Sequence, residues 1–145
     1  MMNTAVIYAS MTGKTKKVAN AMAEALGTRA LPAKEAGQVE ADLLLLGSGV
    51  YGGNLSPDIE AFARSLDPGR CKKAALFTTS VTGAAASGPL RQILEEKGIP
   101  VLEEEFSCLG RFLLVCRMGH PNSEELSAAA AFAKACAASL SDGEA

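Results

Sequence analysis

Three short, almost continuous apolar segments recur along the chain, and each is followed by small polar residues and glycine. They are Thr4–Ala9, Leu43–Leu46 and Ala74–Phe77. A strand that is apolar on both faces needs cover on both sides, which is typical of a parallel β-sheet flanked by helices. The spacing therefore predicts an α/β protein.

The segments between these strands have the features of amphipathic helices. In the first of them, Val18, Met22 and Leu26 lie four residues apart, and Gly27 follows as a helix stop. A second helix is predicted over Ile59–Leu66, since the preceding Ser-Pro-Asp supplies an N-cap, a proline at the first helical position and an acid in the first turn.

The remaining elements complete a regular alternation of five strands and five helices. We predict a short second strand near Arg29–Leu31 with an imperfect helix behind it, a helix over Leu90–Lys97, a fifth strand over Val101–Leu109, and a last helix from an Asn122 cap to about Leu140. In such sheets ligands bind beyond the carboxyl ends of the strands. The loops after the first, third and fourth strands are therefore the candidates for a site.

The loop after the first strand has the composition of an anion site. It reads Ser10-Met11-Thr12-Gly13-Lys14-Thr15 and leads directly into a helix, whose free N–H groups can bind phosphate. Lys14, Lys16 and Lys17 in the first helical turn oppose the helix dipole, and a bound phosphate would compensate them. The alternative is a hydroxyl-capped helix start with solvated lysines.

Two other classes of protein have this order of elements, but the residues that their chemistry requires are absent from this sequence. Gly13-Lys14-Thr15 ends like a Walker A loop, but Tyr8 stands where the first glycine of that motif belongs, and no acid follows the third strand to hold magnesium. A phosphorylation receiver needs carboxylates at the strand ends, and neither the first nor the third strand ends in one.

The loop sequences resemble those of flavodoxins, the small FMN-binding electron carriers, over essentially the whole chain. Ser10-x-Thr12-Gly13-x-Thr15 is similar to their phosphate loop, Gly47–Asn54 to the loop that sets an aromatic and a glycine against the flavin, and Thr78–Gly83 to their third flavin loop. The resemblance implies a flavodoxin-like three-layer sandwich in a single domain over residues 1–145. Its five-stranded parallel sheet would have the order 2-1-3-4-5, with helices on both faces.

The resemblance also implies a set of FMN-binding residues. They are Ser10, Met11, Thr12, Gly13, Lys14 and Thr15 in the first loop, Val50, Tyr51, Gly52, Gly53 and Asn54 in the second, and Thr79, Ser80, Val81, Thr82 and Gly83 in the third. Tyr51 would stack on the flavin ring, the alternative being an aromatic lid on a helix. No catalytic or metal-binding residue is predicted.

Two features differ from the pattern of many flavodoxins. Residues 81–87 read VTGAAAS and contain no second aromatic, which predicts one open face of the flavin. The second loop has Gly53-Asn54 where many members carry acids, so the anionic reduced flavin should be less destabilised.

Charge and cysteine content restrict the partners. Lys and Arg number 14 against 16 Asp and Glu, so no basic surface for nucleic acid is expected. Neither a secretory signal nor a membrane span is visible, which predicts a cytoplasmic protein.

The cysteines do not have the paired short spacing of zinc-binding motifs, and we interpret them as reduced thiols of the core. A metal site formed by Cys108, Cys116 and His120 would match no common zinc pattern.

The functional expectation is an FMN protein that shuttles electrons between redox partner proteins, a reductase and an acceptor. The alternative is an FMN-dependent NAD(P)H:quinone-type oxidoreductase, which the open flavin face favours. A domain that no longer takes up FMN and serves only as a binding module is the third possibility.

Overall fold

The computed structural model describes residues 3–9, 14–37, 39–51, 54–67, 69–80, 88–109 and 123–144. In chain order the elements are β1 (Thr4–Ala9), α1 (Lys14–Leu26), β2 (Ala30–Pro32), α2 (Ala33–Ala36), β3 (Ala41–Tyr51), β4 (Asn54–Leu55), α3 (Pro57–Ser65), β5 (Cys71–Ser80), α4 (Gly88–Glu96), β6 (Val101–Leu109) and α5 (Ser123–Glu144).

Five of the strands form a parallel sheet in the order β2-β1-β3-β5-β6. Counted without the two-residue β4, this is the predicted order 2-1-3-4-5. β4 pairs antiparallel with the end of β3, where Val50 lies opposite Leu55 and Tyr51 opposite Asn54. The sequence does not predict this small pair, because its glycine-rich surroundings are typical of a turn.

The central strands place alternate side chains on the two faces of the sheet, as their apolar sequences require. On one face, β1, β3 and β5 pack against α1 and α5 through Val6, Tyr8, Leu43, Leu45, Ala75, Phe77, Val18, Met22, Ala129 and Ala133. On the other face they pack against α3 and α4 through Ile7, Ala9, Leu44, Leu46, Ala74, Leu76, Ile59, Phe62, Leu90 and Leu94.

The predicted bounds of β1 and β6 agree with the structure, whereas other elements differ in length. β6 covers the predicted Val101–Leu109, whereas β3 and β5 extend beyond their apolar runs because their pairing with each other continues from Ala41 and Cys71 to Gly49 and Thr79. α2 is a single turn, and α5 continues past the predicted end near Leu140 to Glu144. The predicted Asn122 cap lies outside the described residues.

The cysteines that the structure describes are core residues. Cys71 and Cys136 are buried in the core, as the prediction of core thiols requires. Desolvation raises the pKa of Cys71, so this side chain stays a thiol at neutral pH. Cys116, His120 and the side chain of Cys108 lie outside the described part of the chain, and within that part no cluster of metal-ligating side chains occurs.

Asp42 connects three strands at the amino end of the sheet. The Asn3 N–H donates to Oδ2 at 2.9 Å, and Lys72 Nζ lies 3.4 Å from Oδ1. The hydrogen bond from Asn3 has the largest effect, and together with the Lys72 charge it outweighs desolvation and lowers the pKa of Asp42. The ionised form is therefore favoured by folding.

We expect Asp42→Asn to lower the free energy of unfolding at neutral pH but not in strong acid. A depressed pKa contributes stability above the pKa of the unfolded chain, and this contribution disappears as the pH falls through the folded value. Urea unfolding of both proteins between pH 7 and pH 2 measures the difference. Lys72→Gln should change the pH dependence of stability less, because it leaves the Asn3 hydrogen bond in place. If the wild type were still more stable than Asp42→Asn at pH 2, this account would be contradicted.

In the part of the chain that the structure describes, no helix combines the length and the apolar character needed to cross a membrane.

Candidate functional site

The carboxyl ends of β1, β3 and β5 lie side by side at one edge of the sheet. Ala9 is in register with Ser48, and Ser48 with Thr78, so the three strands that precede the predicted loops reach the same edge of the sheet. β1 pairs with β2 on one side and with β3 on the other, which makes its carboxyl end the point where the strand order reverses. Open α/β sheets bind ligands at this point.

The structure describes the sequence-predicted site residues to different extents. Side chains are described for Thr15 and Thr79. For Lys14, Val50, Tyr51, Asn54 and Ser80 the backbone is described, at the start of α1, the end of β3, β4 and the end of β5. Outside the described residues lie Ser10, Met11, Thr12, Gly13, Gly52, Gly53, Val81, Thr82 and Gly83.

Thr15 and Thr79 join the first and third predicted loops. Their Oγ1 atoms are 2.7 Å apart, across 64 positions of sequence, and the residues are 1% and 3% exposed. Thr15 is the second residue of α1, and Thr79 precedes the last residue of β5. Two hydroxyl groups from different predicted loops therefore meet in the interior at the carboxyl edge.

The start of α1 is a favourable place for an anion. Its first turn contains no acidic residue, and Lys16 and Lys17 are exposed there. Among the described residues neither lysine forms an ion pair. Positive charge at a helix N-terminus is unfavourable by itself, so an anion bound at this end would compensate both the lysines and the helix dipole.

Ser48 fixes the segment that contains the second predicted loop, and sequence reasoning missed it. The side chain is fully buried, donates to the Gly49 carbonyl at 2.7 Å and accepts from the Ser56 N–H at 3.0 Å. Ser56 in turn caps α3, as predicted, by accepting from the Asp58 N–H at 3.2 Å. The signal in the sequence is that Ser48 follows Leu44 and Leu46 in phase, on the face that α3 covers.

Phe77 and Gly47 form the packing layer next to Thr79 on the α1 side of the sheet. Gly47 is in register with Tyr8 on β1 and with Phe77 on β5. The Phe77 ring covers Gly47 so closely that a Cβ atom at this position would overlap it. A glycine is therefore required here by space.

A cleft of about 290 Å³ adjoins the start of α1 at the carboxyl ends of β1 and β2. It is lined by Tyr8, Ala9, Lys16, Pro32, Ala33, Lys34 and Asp58. Lys34 Nζ lies 3.6 Å from Asp58 Oδ2 across it. Lys16, which is exposed, also lines the cleft. The cleft is therefore lined by two lysines and one aspartate, so positive groups outnumber negative ones at this part of the carboxyl edge.

Comparison with solved structures shows a shared fold over nearly the whole chain. A flavodoxin from the domain Archaea superimposes with a TM-score of 0.73 at 17% identity, covering 97% of this chain and 99% of that one. For oxidised Flavodoxin 2 from Bacillus cereus the TM-score is 0.68 at 23% identity, with 94% and 99% covered. The rubredoxin oxygen:oxidoreductase of Desulfovibrio gigas has a TM-score of 0.73 at 17% identity and covers 98% of this chain with 37% of its own.

Comparison of the sequence with known proteins and with models of protein families identifies its family. No curated protein matches the chain. A family model described as a flavodoxin domain matches residues 5–107, from the second residue of β1 into β6. This match includes α1, the β3–β4 segment and β5, from which the three predicted loops arise. Since it covers most of the chain and the topology agrees with it, the protein belongs to the flavodoxin family.

Proposed function

We propose that the protein binds FMN noncovalently and carries electrons between two redox partner proteins, a reductase and an acceptor. Membership in the flavodoxin family implies FMN as the cofactor. The observation that carries the proposal is the buried contact between Thr15 and Thr79, because it brings two of the three loops with flavodoxin-like sequence together at the carboxyl edge.

The described residues fit a phosphate group. The Thr15 hydroxyl and the N–H groups of the first turn of α1 are hydrogen-bond donors, and residues 10–17 contain no carboxylate that would repel an anion. Such donors form short, charge-assisted hydrogen bonds to phosphate oxygens. We assign the phosphate to the segment Ser10–Thr15 on this basis.

The flavin ring is assigned to the other two loops. Tyr51 ends β3 and Ser80 ends β5, and the carboxyl ends of both strands lie at the same edge of the sheet as that of β1. When bound, the isoalloxazine ring supplies the electron-accepting and electron-donating chemistry. The protein's part is to hold the phosphate, orient the ring between the loops and limit its contact with water.

A second candidate function is direct oxidation of NAD(P)H with transfer to a quinone-type acceptor. The sequence feature that favours it is the stretch 81–87, which has no side chain larger than valine and would leave one face of the ring accessible to a second substrate. Steady-state oxidation of NAD(P)H by the purified, FMN-loaded protein without an added reductase would favour this function. Reduction that requires a reductase protein would favour the carrier.

The phosphate assignment predicts that the apoprotein prefers FMN to riboflavin. A hydrogen bond to a charged group contributes about 1.5–3 kcal/mol, so we expect FMN to bind at least about tenfold more tightly. Titration of the full-length apoprotein, followed by flavin fluorescence, measures both affinities. The Thr12→Ala, Thr15→Ala double variant should lower the affinity for FMN more than that for riboflavin.

The control for this experiment is Thr28→Ala. Thr28 is also a threonine, but it follows the C-terminal end of α1 and donates to the Thr4 carbonyl at 3.3 Å, at the opposite edge of the sheet. Its replacement should leave the preference for FMN as in the wild type. Equal affinity of the wild type for FMN and riboflavin would refute the phosphate assignment, and a protein that takes up neither flavin would refute the proposed function.

A further inference from the structure

The Thr15–Thr79 contact places a predicted cofactor-binding hydroxyl against another protein group. Thr79 is in register with Gly49 on β3, which has no side chain that could compete for its hydroxyl. Thr15 is the second residue of α1, which begins at Lys14. Thr79 is the described partner of Thr15.

The contact between Thr15 and Thr79 leaves one hydroxyl proton available for another hydrogen bond. Two hydroxyl groups carry two protons, and one hydrogen bond between them uses one. The described part of the chain has no buried side-chain nitrogen or oxygen atom without a hydrogen-bond partner. For the hydroxyl groups of Thr15 and Thr79, this contact supplies that partner. The second proton remains for a further acceptor.

We propose that Thr79 is a positioning residue for phosphate recognition. Its hydroxyl donates to the Thr15 oxygen, and the Thr15 proton is thereby directed to a phosphate oxygen of FMN. This inference rests on the proposed function and adds to it a role for Thr79 that does not require contact with the phosphate. In a chain of hydrogen bonds each bond polarises the next, so a donor behind Thr15 also makes Thr15 the stronger donor.

The positioning role differs in a measurable way from a direct contact with the flavin ring. A residue that touches the ring contributes to the binding of FMN and riboflavin alike. A residue that acts through Thr15 contributes to FMN alone, since riboflavin has no phosphate. The ratio of the two affinities therefore separates the roles, and a purely structural role would not change it.

The experiment measures the dissociation constants of FMN and riboflavin for full-length apoproteins. The proteins compared are the wild type, the single variants Thr79→Val, Thr79→Ser and Thr15→Val, and the double variant that combines Thr15→Val with Thr79→Val. We expect Thr79→Val to lower the preference for FMN about five- to tenfold, and Thr79→Ser to restore it, because serine returns the hydroxyl. The double variant should have the same preference as Thr15→Val within about twofold, because without the Thr15 hydroxyl there is nothing left to position. Thr28→Val is the control and should leave the preference unchanged.

Two results would overturn the positioning role: an unchanged preference in Thr79→Val, which includes an equal loss of affinity for FMN and riboflavin, or a further loss of preference in the double variant. If Thr79→Val does not fold, Thr79→Cys keeps nearly the same volume with a much weaker donor and must shift the preference in the same direction. The wild-type protein distinguishes failure of the phosphate assignment from failure of the positioning role. A wild type without any preference refutes the phosphate assignment together with the positioning role, whereas a wild type with a preference that Thr79 does not influence refutes the positioning role alone.

Discussion

Gly47→Ala is expected to lower the free energy of unfolding by about 1–3 kcal/mol. The added Cβ atom would overlap the ring of Phe77, which is almost completely buried. The φ angle of Gly47 is not in the left-handed region, so the loss arises from overlap and not from the backbone. Urea unfolding, followed by circular dichroism, measures it.

Two further variants make the test specific. Phe77→Leu in the Gly47→Ala background removes most of the ring, and the double variant should be more stable than the sum of the single effects. Gly88→Ala is the matched control, because a Cβ atom there meets nothing within 4 Å, and it should be neutral or slightly stabilising. Additive effects of Gly47→Ala and Phe77→Leu would show that the ring is not the obstacle.

Ser48→Ala is expected to cost about 1–3 kcal/mol of stability and to weaken flavin binding at the same time. The substitution removes the acceptor of the buried Ser56 N–H and the donor to the Gly49 carbonyl. Because these bonds hold both ends of the segment that contains the second loop, riboflavin should lose affinity together with FMN. Unfolding and flavin titration of one preparation measure both effects.

Ser127→Ala controls for the loss of a serine hydroxyl. Ser127 is exposed on α5, far along the chain from the predicted loops, and its replacement should change stability by less than about 0.5 kcal/mol. If Ser48→Ala altered the preference between FMN and riboflavin instead of both affinities, Ser48 would act on the phosphate and not on the loop. Unaltered stability would mean that water replaces the hydroxyl without loss.

The fold could be predicted from the sequence because its main strands are apolar on both faces and its helices carry local signals. The continuous runs in β1, β3 and β5 identify the sheet, and Ser56 with Pro57 identifies the start of α3. The β3–β4 pair could not be predicted in the same way. Its formation depends on Leu55 reaching the core beside α3, which is a tertiary contact with no local pattern.

The candidate site was predicted unevenly for a similar reason. Thr15 and Thr79 were selected by their positions after strands and by resemblance, and the structure brings them together. Their contact with each other was not predicted, since no spacing rule relates residues so far apart in sequence. The roles of Ser48 and of the close packing of Phe77 on Gly47 were missed because both depend on which face of β3 a residue occupies, and this follows only from the register with its neighbours.

The strand order has a consequence for the sequence of events during folding. Thr15 follows β1 and Thr79 belongs to β5, and β3 lies between these two strands in the sheet. The hydroxyl pair can therefore form only after β3 has been inserted and β5 has docked on it, which closes a long loop of chain. A nascent chain that ends before β5 would contain two of the three predicted FMN loops without the Thr79 hydroxyl. We therefore expect the sheet to assemble first and the cofactor to be captured afterwards, as a late event that locks a structure already formed.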